Sequence, residues 1–343
     1  MGRGGVTDPS EAPGGLRARA AALVAELGLA RAGEVGEVRA LAGGVASDIA
    51  AVELPGGAVC VKFALPKLRV AADWRAPVHR SRAEYAWLGA AGAVVPGQVP
   101  RLLGWSDGLL GFAMEMVAGP GVSLWKADLL AGGPAGPLAP LVGDLLGRVH
   151  AASARPGFDR APFRNHDDLW ALRLEPYLLH AALAHPGVAG RLRALAEAHH
   201  RADTVLVHGD VSPKNVLVRD GAPVLLDAEC ASLGDASFDL AFCLNHLVLK
   251  AVHAPALAGE RLRAARALWA AYRCYVAWED AEALGARVAA LLPALMLARV
   301  DGKSPVEYLS EAARGRVRLL ALPLVADPPV SLPLLLDHLE ART

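Results

Sequence analysis

The stretch from Val207 to Asp227 constrains the fold of this chain more than any other. Apolar residues recur at helical spacing on both sides of it. Leu141, Val142, Leu145, Leu146 and Val149 fall on one face before it, and the pattern returns after Phe238 and lasts nearly to the end. Inside the stretch lie two short apolar runs, Val216-Leu217-Val218 and Val224-Leu225-Leu226, which predict a hairpin set into a helical body. Polar residues flank that hairpin: His208, Asp210, Ser212, Lys214 and Asn215 on one side, Asp227 and Glu229 on the other.

The first third of the chain has the opposite character. Strands are expected around 37–41, 49–54, 59–63, 102–105 and 110–117, with the turn signal Pro55-Gly56-Gly57 between the second and third. Helices are expected around 16–29 and 79–91. Ala118-Gly119-Pro120-Gly121 breaks this region off, so the reading is a strand-rich lobe over 1–117 and a helical lobe over 118–343, an α+β architecture. A length of 343 residues suits two lobes better than one core. The Gly/Pro-rich residues 1–15 are expected to be disordered.

Composition excludes several classes. Apolar residues make up 54% and charged residues 20%, which suits a folded chain. Lys plus Arg number 35 and so do Asp plus Glu, so no net charge points to nucleic acid or to a membrane surface. The four cysteines, Cys60, Cys230, Cys243 and Cys274, form no metal-binding or disulfide pattern and read as reduced, buried thiols. The start of the chain lacks the apolar core of a secretory signal, and Val6 stands where myristoylation needs Ser or Thr. No apolar stretch reaches a membrane span, the nearest being 129–143, and the expected location is the cytoplasm.

Asp210 and Asn215, five apart, with Asp227 after the hairpin, suit one chemistry. Phosphoryl transfer needs a carboxylate to orient an attacking hydroxyl and accept its proton, and oxygen ligands for Mg²⁺. Asp210 is read as the base, and Asn215 and Asp227 as metal ligands. Turn-capping would account for any one of these residues, but not for three in register with two strands. On the nucleotide side, Lys62 is a lone charge in an apolar strand and Glu84 lies on the helix that follows; they are read as a phosphate-binding Lys and the acid that aims it, with Arg82 as a rival. Gly43 and Gly44 permit close backbone approach to phosphates, Ser47 adds a hydroxyl, and the backbone around Met116 would hold the adenine edge.

His208-Gly209-Asp210-x-x-x-x-Asn215 followed by Leu226-Asp227-x-Glu229 resembles the signature of the aminoglycoside phosphotransferase and choline kinase superfamily, a cousin of the protein-kinase motif pair. The resemblance implies a protein-kinase-like two-lobed fold, ATP and Mg²⁺, a small-molecule hydroxyl acceptor, and a bracing role for Asp239 in Phe238-Asp239-Leu240-Ala241. The stretch 62–70 with Trp74 resembles methylthioribose kinases locally, which makes a sugar-like acceptor the first expectation. The residues after His208-Gly209-Asp210 depart from that family.

Two alternatives stand beside it: an aminoglycoside acceptor, which calls for converging acids such as Asp167, Asp168, Glu229, Glu279 and Asp280, or a catalytically silent nucleotide-binding protein. Trp269, Tyr272, Tyr275 and Trp278 read as core rather than as a cage for a choline-like ammonium. Asp301 and Lys303 sit in a polar loop that reads as an Asp-Gly turn, with the acceptor cleft as the functional alternative.

Overall fold

Alternation in the strands decides how the first lobe is built. In the computed structural model, which describes residues 15–41, 47–67 and 77–342, Val61 and Phe63 of one strand pack with Leu23 and Val24 of the first helix. Their neighbour Cys60 packs on the other face with Ala83, Trp87 and Leu88. The elements are helix α1 (Gly15–Glu26), strands β1 (Val38–Ala40), β2 (Ser47–Val52) and β3 (Val59–Ala64), helix α2 (Arg80–Val94), and strands β4 (Leu102–Ser106) and β5 (Gly111–Glu115). The five strands form one antiparallel sheet in the order β1-β2-β3-β5-β4, with Lys62 opposite Ile49 and Phe112. Gly43, Gly44, Trp74 and the tail through residue 14 lie outside the described residues.

A short strand β6 (Val122–Leu124) and helices α3 (Trp125–Leu130) and α4 (Ala139–Ser153) open the helical part. Helix α5 (His166–Leu169) runs on through wide, π-type turns over Trp170–Leu179, with Pro176 inside them, and closes as α6 (His180–Ala184). Then follow α7 (Ala189–Arg201), the strands β7 (Val205–Val207), β8 (Val216–Arg219), β9 (Ala222–Leu225) and β10 (Ser232–Gly234), and α8 (Ser237–His253), α9 (Ala258–Arg273), α10 (Ala281–Asp301), α11 (Glu311–Ala326) and α12 (Leu332–Glu340). The two-lobed α+β architecture expected from the sequence is the one observed.

The hairpin β8–β9 has a local cause. Asp220 and Gly221 both have positive φ, 52° and 80°, the backbone of a tight turn whose twist matches its strands. That turn sets the register Val216↔Leu225, and one step further the Leu226 N–H donates to the Asn215 carbonyl at 2.8 Å. Asn215 and Asp227 therefore emerge side by side at the open end.

Helix α10 corrects the sequence reading of apolar segments. It is more apolar than 129–143 and is long and apolar enough to cross a membrane, yet 78% of its most apolar stretch is buried among the other helices. It is the central helix of the larger core, with Leu291, Leu292, Leu295 and Met296 fully enclosed. Cys60, Cys230 and Cys243 are buried free thiols as expected, whereas Cys274 is exposed near the end of α9.

Candidate active site

The strand β3 delivers a charge to the region between the lobes because its period-two pattern leaves Lys62 on the α2 side. The Lys62 side chain is 3% exposed, and Nζ lies 2.7 Å from Glu84 Oε1. The same ammonium hydrogen-bonds Asp227 Oδ1, far along the chain. Burial alone would lower the Lys62 ammonium, but Asp227 and Glu84 hold it above the usual lysine range. Burial pushes the Glu84 carboxyl up to about 7, with Lys62 opposing. The Lys62 ammonium thus answers two carboxylates.

The loop Gly209–Asn215 is held from three directions. Asp239, in the first turn of α8, accepts from the His208 N–H at 2.7 Å and the Gly209 N–H at 2.8 Å, and contacts His150 Nε2 at 3.2 Å. The His208 ring joins the loop to the end of β9: Nδ1 accepts from the Asp210 N–H at 3.1 Å, so Nε2–H donates to the Leu226 carbonyl at 3.0 Å. Burial keeps His208 below the usual histidine range, in line with this neutral form. Gly209 has φ 79°, and a Cβ there would stand 2.6 Å from Cys230 Cβ, so only glycine fits.

Asp210 is buried, and its two oxygens are treated unequally. Oδ2 takes Arg173 Nη2 at 2.8 Å, Lys214 Nζ at 2.9 Å and Asn215 Nδ2 at 2.9 Å. Oδ1 is enclosed without a hydrogen-bond partner among the described residues. Burial by itself would raise the Asp210 carboxyl, but Arg173 and then Lys214 hold it below the usual carboxylate range. Asp227 is held low in the same way, Lys62 outweighing burial. It also adopts φ 70°, an uncommon backbone for a non-glycine residue and of the kind that collects at functional sites.

The donor set fits a hard divalent cation. Asn215 turns its amide nitrogen to the Asp210 carbonyl and carboxylate, both at 2.9 Å, which leaves its amide oxygen available. The Asp227 carboxylate beside it is 29% exposed and charged. Mg²⁺ is commonly held by one or two such oxygens, with waters and phosphates completing the shell. Among the described residues no group of three His, Cys, Asp or Glu forms a self-sufficient metal cage.

Ser47 is buried at the head of β2, opposite Ala64, and Met116 follows β5, half-buried against the core. Arg82 is not a rival to Lys62: it is exposed and pairs with Asp107 on the surface. Sequence reasoning missed two buried arginines. Arg173, on the π-type turns, grips Asp210 and also donates to the Gly209 carbonyl at 2.9 Å. Arg80 is enclosed at the start of α2 and bridges to Glu229 at 3.3 Å and to the Leu65 carbonyl at 2.8 Å. A lone charge in an apolar run, the signal that singled out Lys62, also marks Leu172-Arg173-Leu174.

Four of the acids available for a polycationic acceptor each have a basic partner. Glu229 faces Arg80, Asp168 faces His79 at 3.0 Å, Asp167 faces His200 at 3.3 Å, and Glu279 faces Arg287 at 2.6 Å. Asp301 is taken by His185 at 2.8 Å and Arg318 at 2.6 Å, and Lys303 by Glu175 at 2.9 Å. Trp269 and Tyr272 are core residues, the Tyr272 hydroxyl lying 2.8 Å from His150 Nδ1.

Known proteins share this architecture. An amicoumacin kinase in complex with AMP-PNP, Ca²⁺ and Ami superposes with a TM-score of 0.53 at 15% identity, covering 86% of this chain and 89% of that one. The ethanolamine kinase of Plasmodium vivax superposes with a TM-score of 0.52 at 10% identity, covering 86% and 84%. In sequence, the methylthioribose kinase of Erwinia tasmaniensis is 27% identical over 253 residues, 62% of this chain. The match likewise spans 62% of that relative's length. The family model described as the phosphotransferase enzyme family matches residues 37–275. That match takes in the Lys62 strand, the loop at Asp210 and the hairpin that ends at Asp227, and the chain belongs to this phosphotransferase family.

Proposed function

We propose that this protein is an ATP-dependent kinase that transfers the γ-phosphate to a hydroxyl of a small molecule. One observation carries the reading: Asp210 has one oxygen saturated by three cationic or amide donors and the other, Oδ1, enclosed without a partner. A carboxylate held charged, fixed in orientation and left one free acceptor atom is suited to bind a hydroxyl and take its proton. Family membership and the likeness to small-molecule kinases support the same reading.

Asp210 orients the acceptor hydroxyl and accepts its proton as the oxygen forms its bond to the γ-phosphorus and the bond to the departing ADP oxygen breaks. Lys62, aimed by Glu84, neutralises phosphate oxygens. Asn215 and Asp227 would hold Mg²⁺, which would supply charge stabilisation for the transferring group. Arg173, Asp239 and His208 keep the loop rigid, which supplies the positioning part of the rate. The backbone beside Met116 takes the adenine edge and Ser47 adds a hydroxyl toward the phosphates; Gly43 and Gly44, expected in the same role, lie outside the described residues. A sugar-like acceptor is favoured by the relationship to the methylthioribose kinase. An aminoglycoside is disfavoured, because four of the acids it would need already answer basic side chains of the protein.

The test is ADP formation by the purified protein with Mg²⁺ across hydroxylated acceptors, including methylthioribose, free sugars, aminoglycosides and choline. Acceptor-dependent turnover that disappears in Asp210→Ala is the expected result. Failure to bind ATP would sink the reading. Binding without turnover of any acceptor would favour a silent nucleotide-binding protein.

A further inference from the structure

The small cavity beside the catalytic loop holds more cations than carboxylates. Lys214 forms one wall; Lys126 of α3, His246 and Lys250 of α8, and Arg299 of α10 form others, and Glu307 is the one carboxylate among its lining residues. Lys126 is answered by Glu307, and Lys214 by Asp210 at 2.9 Å. Lys250 and Arg299 have no carboxylate within salt-bridge distance among the described residues, although they are only 3% and 8% exposed. The Lys250 ammonium rests 4.8 Å from the centre of the Tyr308 ring. Arg299 Nη1 donates to the Tyr177 and Ser304 hydroxyls at 3.0 Å each, and its Nε–H is enclosed without a partner. His246 Nε2 and the Tyr308 hydroxyl are enclosed and unpartnered as well.

A buried ammonium with no anion is costly, and enclosed donors in a native fold ask for a missing partner. Burial, then the neighbouring Lys126, pushes the Lys250 ammonium down to about 7, with Glu307 opposing. An oxyanion seated in the cavity would supply the counter-charge that the lysine and arginine lining it lack. The free volume is about 20 Å³, about the room of one water, so it admits the oxygen end of an anion and not a whole sugar. Its Lys214 wall is the side chain that touches Asp210, so a molecule anchored here by one end presents its remainder to the loop.

Resting on the kinase reading above, we propose that this cavity is an anion subsite of the acceptor: the substrate is a hydroxylated oxyanion, a hydroxy acid or a sugar phosphate, whose charged end is held by Lys250, Arg299 and His246 while its hydroxyl reaches Asp210.

The test uses full-length protein saturated with AMP-PNP and Mg²⁺ at fixed ionic strength. Calorimetric titrations compare glycerate with glycerol and ribose 5-phosphate with ribose, with inorganic phosphate as a further anion and a polycationic aminoglycoside as the control of opposite charge. Binding of the anionic member of at least one pair, at least tenfold tighter than its neutral partner, is expected, and the pair that responds tells carboxylate from phosphate. Lys250→Met is expected to weaken that binding at least tenfold, to leave AMP-PNP affinity unchanged and to raise the melting temperature, because it removes a buried unpaired charge. Lys250→Arg keeps the charge and is expected to retain the binding, which covers the case of a Met variant that fails to fold. Equal binding of charged and neutral members, or a Lys250→Met protein that binds anions normally and melts lower, overturns the proposal. Loss of AMP-PNP binding by the wild type would instead strike the kinase reading, a separate readout.

Discussion

Lys62 and Lys250 are buried almost equally, 2% and 3% exposed, and their surroundings are opposite. Lys62 sits between Glu84 and Asp227, and its ammonium is held above the usual range. Lys250 faces a tyrosine ring and other cations, and its ammonium falls to about 7. The difference teaches that burial of a charge says little until its partners are counted. One lysine belongs to a network already closed within the protein. The other belongs to a network that is one anion short.

The largest effect expected within this comparison is on catalysis at the carboxylate both networks approach. Asp210→Ala should lower kcat by about 10³-fold, within the range for loss of a positioned proton acceptor, with nucleotide affinity retained. Steady-state kinetics beside AMP-PNP titration checks this. Next come the two lysines themselves. Lys62→Met leaves Glu84 and Asp227 uncompensated and should destabilise the fold by about 3–5 kcal/mol, the usual cost of breaking a buried pair. Lys250→Met should change the melting temperature in the opposite direction. Equal signs in the two melts would break the comparison.

Arg173→Leu should lower kcat about 10- to 100-fold, less than loss of Asp210, as expected when a proton acceptor remains but is mispositioned. It should also move the acid limb of the kcat/KM profile to higher pH, because Arg173 is the main cation holding the Asp210 carboxyl down. A profile whose acid limb stays in place would assign Arg173 to packing alone.

A smaller effect concerns pH and stability. Burial lowers His199, His208 and His246 from the ordinary histidine range. As pH falls through about 6.5 the unfolded chain takes up protons that the folded one refuses, at up to about 1.4 kcal/mol per pH unit for each group. The contribution of these histidines is therefore full above that pH and is lost below it, while Glu84, raised to about 7, acts in the opposite sense, so thermal melts from pH 8 to pH 5 should decline more steeply in Glu84→Gln than in the wild type. The smallest effect is expected at Lys303, which is bound to Glu175 away from the cavity. Lys303→Ala should change acceptor KM less than twofold, in contrast to Lys250→Met.

Much of the site was legible in the sequence because its parts are local. Asp210, Asn215 and Asp227 are tied by one hairpin whose Asp220-Gly221 turn fixes the register. Lys62 stood out as a charge in an apolar strand, and Glu84 lay on the next helix. Arg80, Arg173 and the basic cavity were not legible in the same way. Arg173 reaches Asp210 only because the helix over Trp170–Leu179 widens into π-type turns beside the loop. Lys126, Lys250 and Arg299 lie on three helices far apart in the chain, and although Lys250 and Arg299 each interrupt an apolar run, nothing local says that they meet. The apolar helix α10 was underrated because its Pro293 and Arg299 interrupt the pattern without ending the helix.

The sequence by itself determined the strand-rich and helical halves, the hairpin, and the three residues whose spacing suits phosphoryl transfer, because periodicity and turn chemistry act over a few residues at a time. Tertiary structure alone decided which charges meet. The pairing of Lys62 with Asp227, the grip of Arg173 on Asp210 and the unanswered cations around Lys250 depend on elements brought together by burial of apolar faces, a non-directional force that acts between segments far apart in the chain.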